Sequence, residues 1–244
     1  MKQTFAIIAL ISILFTSCTF TEEITFDKNF KGTYNLGVDM SKLMSLKGDH
    51  KQDSIPSKKI DSVINFRDIL EQKKDSISKL SDEEKEKIEA LKDLRMEMHI
   101  DEAANKMAMN FLLDFESLED LKGINKKLSQ ANDLNSKKSK PNKNFTPNSE
   151  VEYSFKGNTF KRVSIAKELT PELKEKNDTF LTQSAAILEG STYKIIYHFP
   201  KKIKSVSVEN AQISEDKKTV TIISNLGAIF KDPKSLDFEV KLKN

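Results

Sequence analysis

Residues 193–199 read Tyr193-Lys194-Ile195-Ile196-Tyr197-His198-Phe199, with a large apolar side chain at every odd position. Successive side chains of a β-strand point to opposite faces, so this spacing predicts a strand with one apolar face. A strand of this kind is typical of an antiparallel sheet that is covered on one side. The same period of two recurs in the segments 24–26, 34–40, 96–100, 107–115, 153–155, 206–208, 211–213, 220–222 and 236–242.

Segments with helical spacing alternate with these strands. Two of them carry clear start signals, a Ser81–Glu84 capping box and a Thr170 N-cap followed by Pro171. The predicted helices run from Ile60 to Leu80, from Ser81 to Leu94, from Leu118 to Ala131 and from Pro171 to Leu188. We therefore predict an α+β fold, with a mainly antiparallel sheet and helices packed on one face.

Turns and caps add local detail. Gly157-Asn158 predicts a tight turn between two strands, and the second strand places apolar residues at Phe160 and Val163. This change of parity predicts a β-bulge or a shift in register. Asp39 is expected to cap a short helix over residues 41–46.

The composition limits the function classes. The chain has 244 residues, 40 Lys+Arg and 37 Asp+Glu, so its net charge of +3 excludes a nucleic-acid partner held by overall charge. Its 37% hydrophobic content suffices for one modest core and is too low for a multi-span membrane protein. The single cysteine, Cys18, excludes a disulfide framework and a cysteine-based zinc site.

The N-terminal segment predicts export. Lys2 supplies a positive charge, and residues 5–15 are apolar apart from Ser12. Eleven residues are too few to cross a bilayer, which takes about 20, so residues 1–17 are predicted to be a cleaved signal peptide. Residues 18–244 then form a single domain, with flexible segments near 47–59 and 135–149 where polar residues and prolines gather.

The motif Phe15-Thr16-Ser17-Cys18 resembles the lipobox of bacterial lipoproteins. That resemblance implies a diacylglycerol on the Cys18 sulfur and cleavage between Ser17 and Cys18. The alternative is an ordinary secretory peptide in which Cys18 is incidental. Glu22-Glu23 resembles the acidic tether that directs some lipoproteins to the outer face of the outer membrane, so we expect the protein in the cell envelope, at the outer membrane.

No motif predicts catalysis or a metal site. The histidines, His50, His99 and His198, lack metal-binding spacing, and no nucleophile or phosphate-binding motif occurs. We therefore expect no enzymatic activity, no metal and no cofactor. Clustered lysines at 137–140 and 201–204 could lie against anionic head groups or acidic glycans, or could be ordinary solubilising loops.

Four methionines are predicted to share the inward face of one hairpin. Such residues commonly fill gaps in a core, although clustered thioethers could also bind Cu(I). They could instead line an adaptable cavity for an apolar ligand. The four are Met96, Met98, Met107 and Met109.

Two further segments carry a family resemblance. Residues 30–41 and 197–220 resemble hairpins of bacterial envelope lipoproteins, and distantly those of the LppM-type lipoprotein domain. The resemblance implies location and fold, and it assigns a role to no residue except Cys18. We expect a membrane-anchored, non-enzymatic protein that contacts another envelope protein; the alternative is a carrier or sensor of an apolar ligand held between sheet and helices.

Overall fold

The structure, a computed structural model, describes residues 18–45, 58–135 and 149–244. Its strands are β1 Thr19–Phe26, β2 Gly32–Asp39, β3 Lys59–Asn65, β4 Leu94–Asp101, β5 Lys106–Phe115, β6 Ser149–Lys156, β7 Thr159–Ala166, β8 Thr192–His198, β9 Ile203–Val206, β10 Gln212–Ile213, β11 Thr219–Asn225 and β12 Phe238–Leu242. Its α-helices are α1 Ser41–Ser45, α2 Phe66–Gln72, α3 Lys74–Ile77, α4 Asp82–Glu89, α5 Ile124–Asn135, α6 Pro171–Gln183, α7 Ala185–Gly190 and α8 Leu226–Lys231. Short 3₁₀-helices span Leu118–Leu121 and Pro233–Leu236.

The described strands form two sheets. The larger has eight strands in the order β10-β11-β8-β1-β2-β5-β4-β3, and the smaller has four in the order β6-β7-β12-β9. Neighbouring strands are antiparallel except for β1 and β8, which run parallel. The α+β class is therefore confirmed, although the single predicted sheet is divided in two.

The main core lies between the two sheets. Ile24 and Tyr197 from the larger sheet and Phe160 and Val240 from the smaller one are all completely buried. Leu121, close to the start of α5, belongs to the same core. The alternating residues that predicted strands are thus the residues that join the two sheets.

The first predicted helix is partly wrong. Residues 59–65 form the edge strand β3, which pairs with β4, and the helix begins only at Phe66. Ile60 and Ile64 are compatible with both periods, because residues four apart share a face in a helix and in a strand. Val63 decides between them, because its side chain is 60% exposed and points away from those two.

The predicted bulge in β7 is also wrong. The register of β6 with β7 is continuous from Ser149↔Ala166 to Lys156↔Thr159. The inward face continues from Phe160 through Arg162 and Ser164, both 3% exposed. The apparent change of parity arose because the inward positions after Phe160 are polar.

The predicted caps are confirmed, but the helices they start are shorter than expected. Ser81 and Glu84 form a capping box, Thr170 accepts from the Leu173 amide, and the Asp39 carboxylate accepts from the Ser41 amide at 2.9 Å. The capping-box helix ends at Glu89, and the Thr170 helix is interrupted after Gln183. Gly123 has a φ of 68°, so the predicted third helix starts as a 3₁₀ turn and becomes α-helical only after that glycine.

The two predicted flexible segments fall mostly outside the described residues. At their borders, Lys59 begins β3 and Ser149 begins β6, so these two residues belong to strands and not to flexible segments. Asn135 is the last residue of α5.

Candidate functional site

Cys18 is attached directly to the fold. It immediately precedes β1, and its carbonyl oxygen accepts a hydrogen bond from the Thr192 amide at 3.0 Å. Its side chain belongs to a small apolar cluster that is separate from the main core and includes Phe20, Leu188 and Leu226. Phe180 of α6 packs against this cluster. Cys18 therefore lies in a cluster to which helices α6, α7 and α8 each contribute a side chain.

The Cys18 thiol is not activated in the folded protein. Burial raises its pKa, the nearby Asp39 carboxylate raises it further, and a hydrogen bond with Ser191 opposes both effects. Because the thiolate is the reactive form, a buried thiol with a raised pKa is a poor nucleophile. Chemistry at this sulfur, and any group attached to it, would therefore require Cys18 to lie outside the cluster in which it packs here. Ser17 and the predicted signal peptide lie outside the described residues, so the cleavage position stays a prediction.

The acidic tether is the part of the N-terminal prediction that the structure corrects. Regular strand pairing begins at Thr19, which leaves no free segment after Cys18. Glu22 points inward and is 1% exposed, whereas Glu23 points outward and bonds to Nε2 of His198 at 2.8 Å. Glu22 and Glu23 are residues of strand β1, so they do not form a flexible acidic tether.

Glu22 forms an ion pair with Arg162 that joins the two sheets. The Arg162 Nη2 lies 3.0 Å from the Glu22 Oε2, and the Arg162 Nε donates to Oε1 at 3.2 Å. This is a bidentate arrangement, the most favourable geometry for a guanidinium and a carboxylate. The remaining guanidinium nitrogen, Nη1, donates to the Leu236 carbonyl at 3.0 Å and to the Ser164 hydroxyl at 3.3 Å.

Tyrosines complete the shell around this carboxylate. The Tyr153 hydroxyl donates to Oε1 at 2.9 Å, the Tyr193 hydroxyl donates to Oε2 at 2.6 Å, and the Tyr197 hydroxyl also donates to Oε1. Tyr34 is fully buried beside them and shares a hydrogen bond with Tyr153. All four tyrosines of the sequence thus gather around Glu22.

The network keeps Glu22 ionised inside the protein. Burial would raise the pKa of Glu22, but the Arg162 charge and the hydrogen bonds from Arg162, Tyr193 and Tyr197 lower it to about 2. Burial raises the pKa of each tyrosine well above its ordinary value, and the negative charge of Glu22 adds to this effect, so the hydroxyls remain donors.

This cluster has the properties of a structural cross-link. Both carboxylate oxygens and every guanidinium nitrogen are occupied by protein partners, and the pair is closed off from solvent. Satisfied buried networks of this kind make a core rigid, because breaking any one contact leaves an unpaired polar group. Sequence analysis missed the burial and pairing of Glu22 and Arg162, although the alternation through Phe20 and Phe160 places both side chains on the inward face.

The four methionines do share one face of the β4–β5 hairpin, as predicted. Met98 lies opposite Met109, and Met96 lies opposite Phe111. Met96 is 3% exposed within the main core and Met109 packs against it, which fits the gap-filling role. Met98 and Met107 are half-buried on the same face.

The histidines form cross-strand pairs. His99 Nδ1 lies 2.7 Å from an oxygen of Asp61 on the neighbouring strand, and His198 bridges Glu23 and the Thr219 hydroxyl. His50 lies outside the described residues. In the three described ranges, no group of three or more His, Cys, Asp or Glu side chains could hold a metal ion. Nor does any helix in those ranges combine the length and apolar character that crossing a bilayer requires.

Comparison with known proteins gives one distant structural likeness. No family model matches the sequence, and no curated protein is significantly similar to it. The chain is similar over 93% of its length to 91% of the NMR structure of the folded domain of LppM from Mycobacterium tuberculosis. The two share 9% sequence identity, with a TM-score of 0.37. At these values the likeness carries no conclusion about the role of this chain, and no residue role is transferred from it.

Proposed function

We propose that this chain is a lipid-anchored protein of the bacterial cell envelope, held to a membrane by acyl groups on Cys18. The observation that carries the proposal is the lone cysteine of the sequence at the end of the lipobox-like motif, directly before the first strand. An anchor at this position would hold the folded body against the bilayer with no intervening linker.

The energy of such an anchor is sufficient for stable attachment. Each buried methylene group contributes about 0.8 kcal/mol, and one acyl chain alone gives only marginal binding, so two or three chains are needed. A diacylglycerol on the Cys18 sulfur supplies two. Because Glu22 and Glu23 are folded into β1, the proposal concerns membrane attachment and does not use them as a sorting signal.

We further propose a non-enzymatic role, in which the body contacts another envelope component. The groups whose pKa values are most strongly shifted, Glu22 and its tyrosines, are occupied in the cross-link between the sheets. Titratable groups that serve catalysis are expected to converge on an accessible cleft instead. The outer surface of the sheets is then the part of the protein available to a partner.

Metabolic labelling with an alkyne fatty acid tests the anchor. We expect the wild-type protein to incorporate the label in a form that resists hydroxylamine, because thioether and amide linkages survive a reagent that removes thioesters. Cys18→Ser should lose all label, since serine has nearly the same size and lacks the sulfur. The label should be read on the purified protein, because an uncleaved leader could retain the variant in the membrane fraction.

Ser17→Ala is the matched control. It keeps a small residue before Cys18 and should incorporate as much fatty acid as the wild type. Equal labelling of Cys18→Ser and wild type, or no label on either, would show that Cys18 does not carry the anchor.

The methionine face gives weaker support to a carrier of apolar ligands. Met96 and Met109 are used in core packing. Three surface depressions of the described structure lie elsewhere, one beside β9, one along helices α2–α4 and one along α6. The proposal of an anchored interaction protein therefore takes precedence.

A further inference from the structure

Lysines from three separate segments gather at one end of the molecule. The loop after β8, the turn between β10 and β11 and the end of β12 are tied together by backbone hydrogen bonds. The Ile203 amide donates to the Lys217 carbonyl at 2.6 Å, and the Lys243 amide donates to the Lys202 carbonyl at 2.8 Å. The predicted basic segment 201–204 is therefore part of a larger basic surface that only the fold assembles.

These lysines surround a surface depression of about 670 Å³. Ile203 and Leu242 are buried beneath it, and Ile213 adds an apolar side chain that is 42% exposed. Three exposed lysines stand around this apolar floor, Lys204, Lys217 and Lys243. We name it the lysine-rimmed depression.

Within the described part of the chain, none of the ammonium groups of the three rim lysines forms an ion pair with a carboxylate. Two exposed carboxylates, Glu215 and Asp216, precede Lys217 in the same turn and offset part of the local positive charge. The groove along α2, α3 and α4 is a useful contrast, because there Lys85 pairs with Asp82 at 3.3 Å and Lys92 pairs with Glu89 at 3.0 Å.

The turn that presents Lys217 is held in a fixed conformation. Lys217 has a φ of 60°, in the left-handed region that residues with a Cβ seldom adopt. The Asp216 carboxylate accepts from the Ser214 hydroxyl at 2.5 Å and from the Lys218 amide at 3.0 Å. The backbone of this turn is thus fixed before any ligand arrives, which lowers the entropic cost of presenting Lys217.

The position of this surface distinguishes between two kinds of anion. β1 and β8 run parallel, from Cys18 and Ser191 at one end to Phe26 and His198 at the other, and the depression lies beyond the second end. A strand of this length separates the two ends by roughly 25 Å. If Cys18 is anchored as proposed above and the strands run away from the membrane, the lysines lie at the end far from the bilayer, where head groups of the same bilayer are poorly placed to bind them.

We propose that the lysine-rimmed depression binds an acidic glycan, a polymer of sugar rings carrying carboxylate, sulfate or phosphate groups. Several ammonium groups around an apolar floor fit repeated negative charges along a chain whose sugar rings present apolar faces. The choice of a glycan over a lipid head group rests on the proposed anchor, whereas the anionic character of the ligand rests on the depression itself.

Binding of dextran sulfate to the detergent-solubilised protein tests this site, with uncharged dextran as the comparison. We expect binding of dextran sulfate alone, weakening as salt screens the charges. The variant Lys204→Gln/Lys217→Asn/Lys243→Gln should bind at least about tenfold more weakly, since each lysine beside an anionic surface contributes about 1 kcal/mol. Asparagine is chosen at position 217 because it tolerates a positive φ.

The variant Lys74→Gln/Lys85→Gln/Lys92→Gln is the matched control, because it removes the same charge from the other groove and should bind like wild type. Equal weakening in both triple variants would show that the effect depends on net charge alone and would overturn the site.

sn-Glycerol 3-phosphate, added at the same total anion concentration, should compete poorly with dextran sulfate for the protein. Competition equal to that of the polymer would indicate a head-group site and contradict the proposal. Fatty-acid labelling of Cys18 does not depend on these outcomes, so the two proposals fail separately.

Discussion

Replacing Arg162 with methionine is expected to destabilise the folded protein by about 3–5 kcal/mol, because it leaves the Glu22 carboxylate buried without its counter-charge. The Glu22 and Arg162 side chains are 2% and 3% exposed, so water cannot replace the missing guanidinium. The free energy of unfolding, measured by urea denaturation at neutral pH, gives the effect directly.

Lys161→Met is the matched control for this substitution. Lys161 is the preceding residue of the same strand, but it points outward and pairs with Glu239 at 3.2 Å on the surface. Exposed pairs contribute about 0–1 kcal/mol, so the control should lose little stability. Similar losses in Arg162→Met and Lys161→Met would contradict the assigned cross-link.

A double variant separates loss of the charge pair from general damage to the core. Glu22→Gln/Arg162→Met removes both charges and keeps an oxygen that can accept from the tyrosine hydroxyls. Replacing both members of a buried pair costs far less than removing one, so the double variant should recover a large part of the stability lost in Arg162→Met. No recovery would mean that the arginine acts through packing and not through its charge.

Acidification is expected to remove about 3 kcal/mol of stability through Glu22 alone. Its pKa is about 2 in the folded protein and 4.5 in the reference state. Because folding lowers the pKa, this contribution is fully present above the reference pKa and is lost as the pH falls through the folded pKa. One pKa unit corresponds to about 1.4 kcal/mol, so the loss develops between about pH 5 and pH 2.

The pH dependence of the double variant Glu22→Gln/Arg162→Met identifies the Glu22 part of this loss. Other carboxylates are protonated over the same range, and they contribute equally in both proteins. The wild type should therefore lose about 3 kcal/mol more than the double variant over that interval. Parallel pH profiles for the two proteins would show that Glu22 is not the group stabilised by folding.

Sequence alternation predicted most of the strands, but the charged character of two inward residues concealed their burial. Glu22 lies between Phe20 and Ile24, and Arg162 lies between Phe160 and Ser164, so period two assigns both to the inward face. Charged residues are almost never buried unless paired, and their partners here are 140 residues apart in sequence. The composition of each strand alone therefore indicates surface positions, and only the contact between the sheets shows otherwise.

Long-range contacts account for the other differences. Ile60 and Ile64 fit a helix as well as a strand, and pairing with β4 selects the strand. The basic segment 201–204 was visible in the sequence, but its assembly with Lys217 and Lys243 depends on contacts between distant segments. Capping signals at Ser81 and Thr170 were predicted correctly because they involve residues only three apart.

Intact-mass analysis of the protein extracted from native membranes tests the proposed anchor most directly. The account predicts a polypeptide that begins at Cys18 and carries a diacylglyceryl group in place of the thiol hydrogen, with or without a further acyl chain on the amino group. A protein that retains residues 1–17, or one that begins at Cys18 with a free thiol, would contradict it.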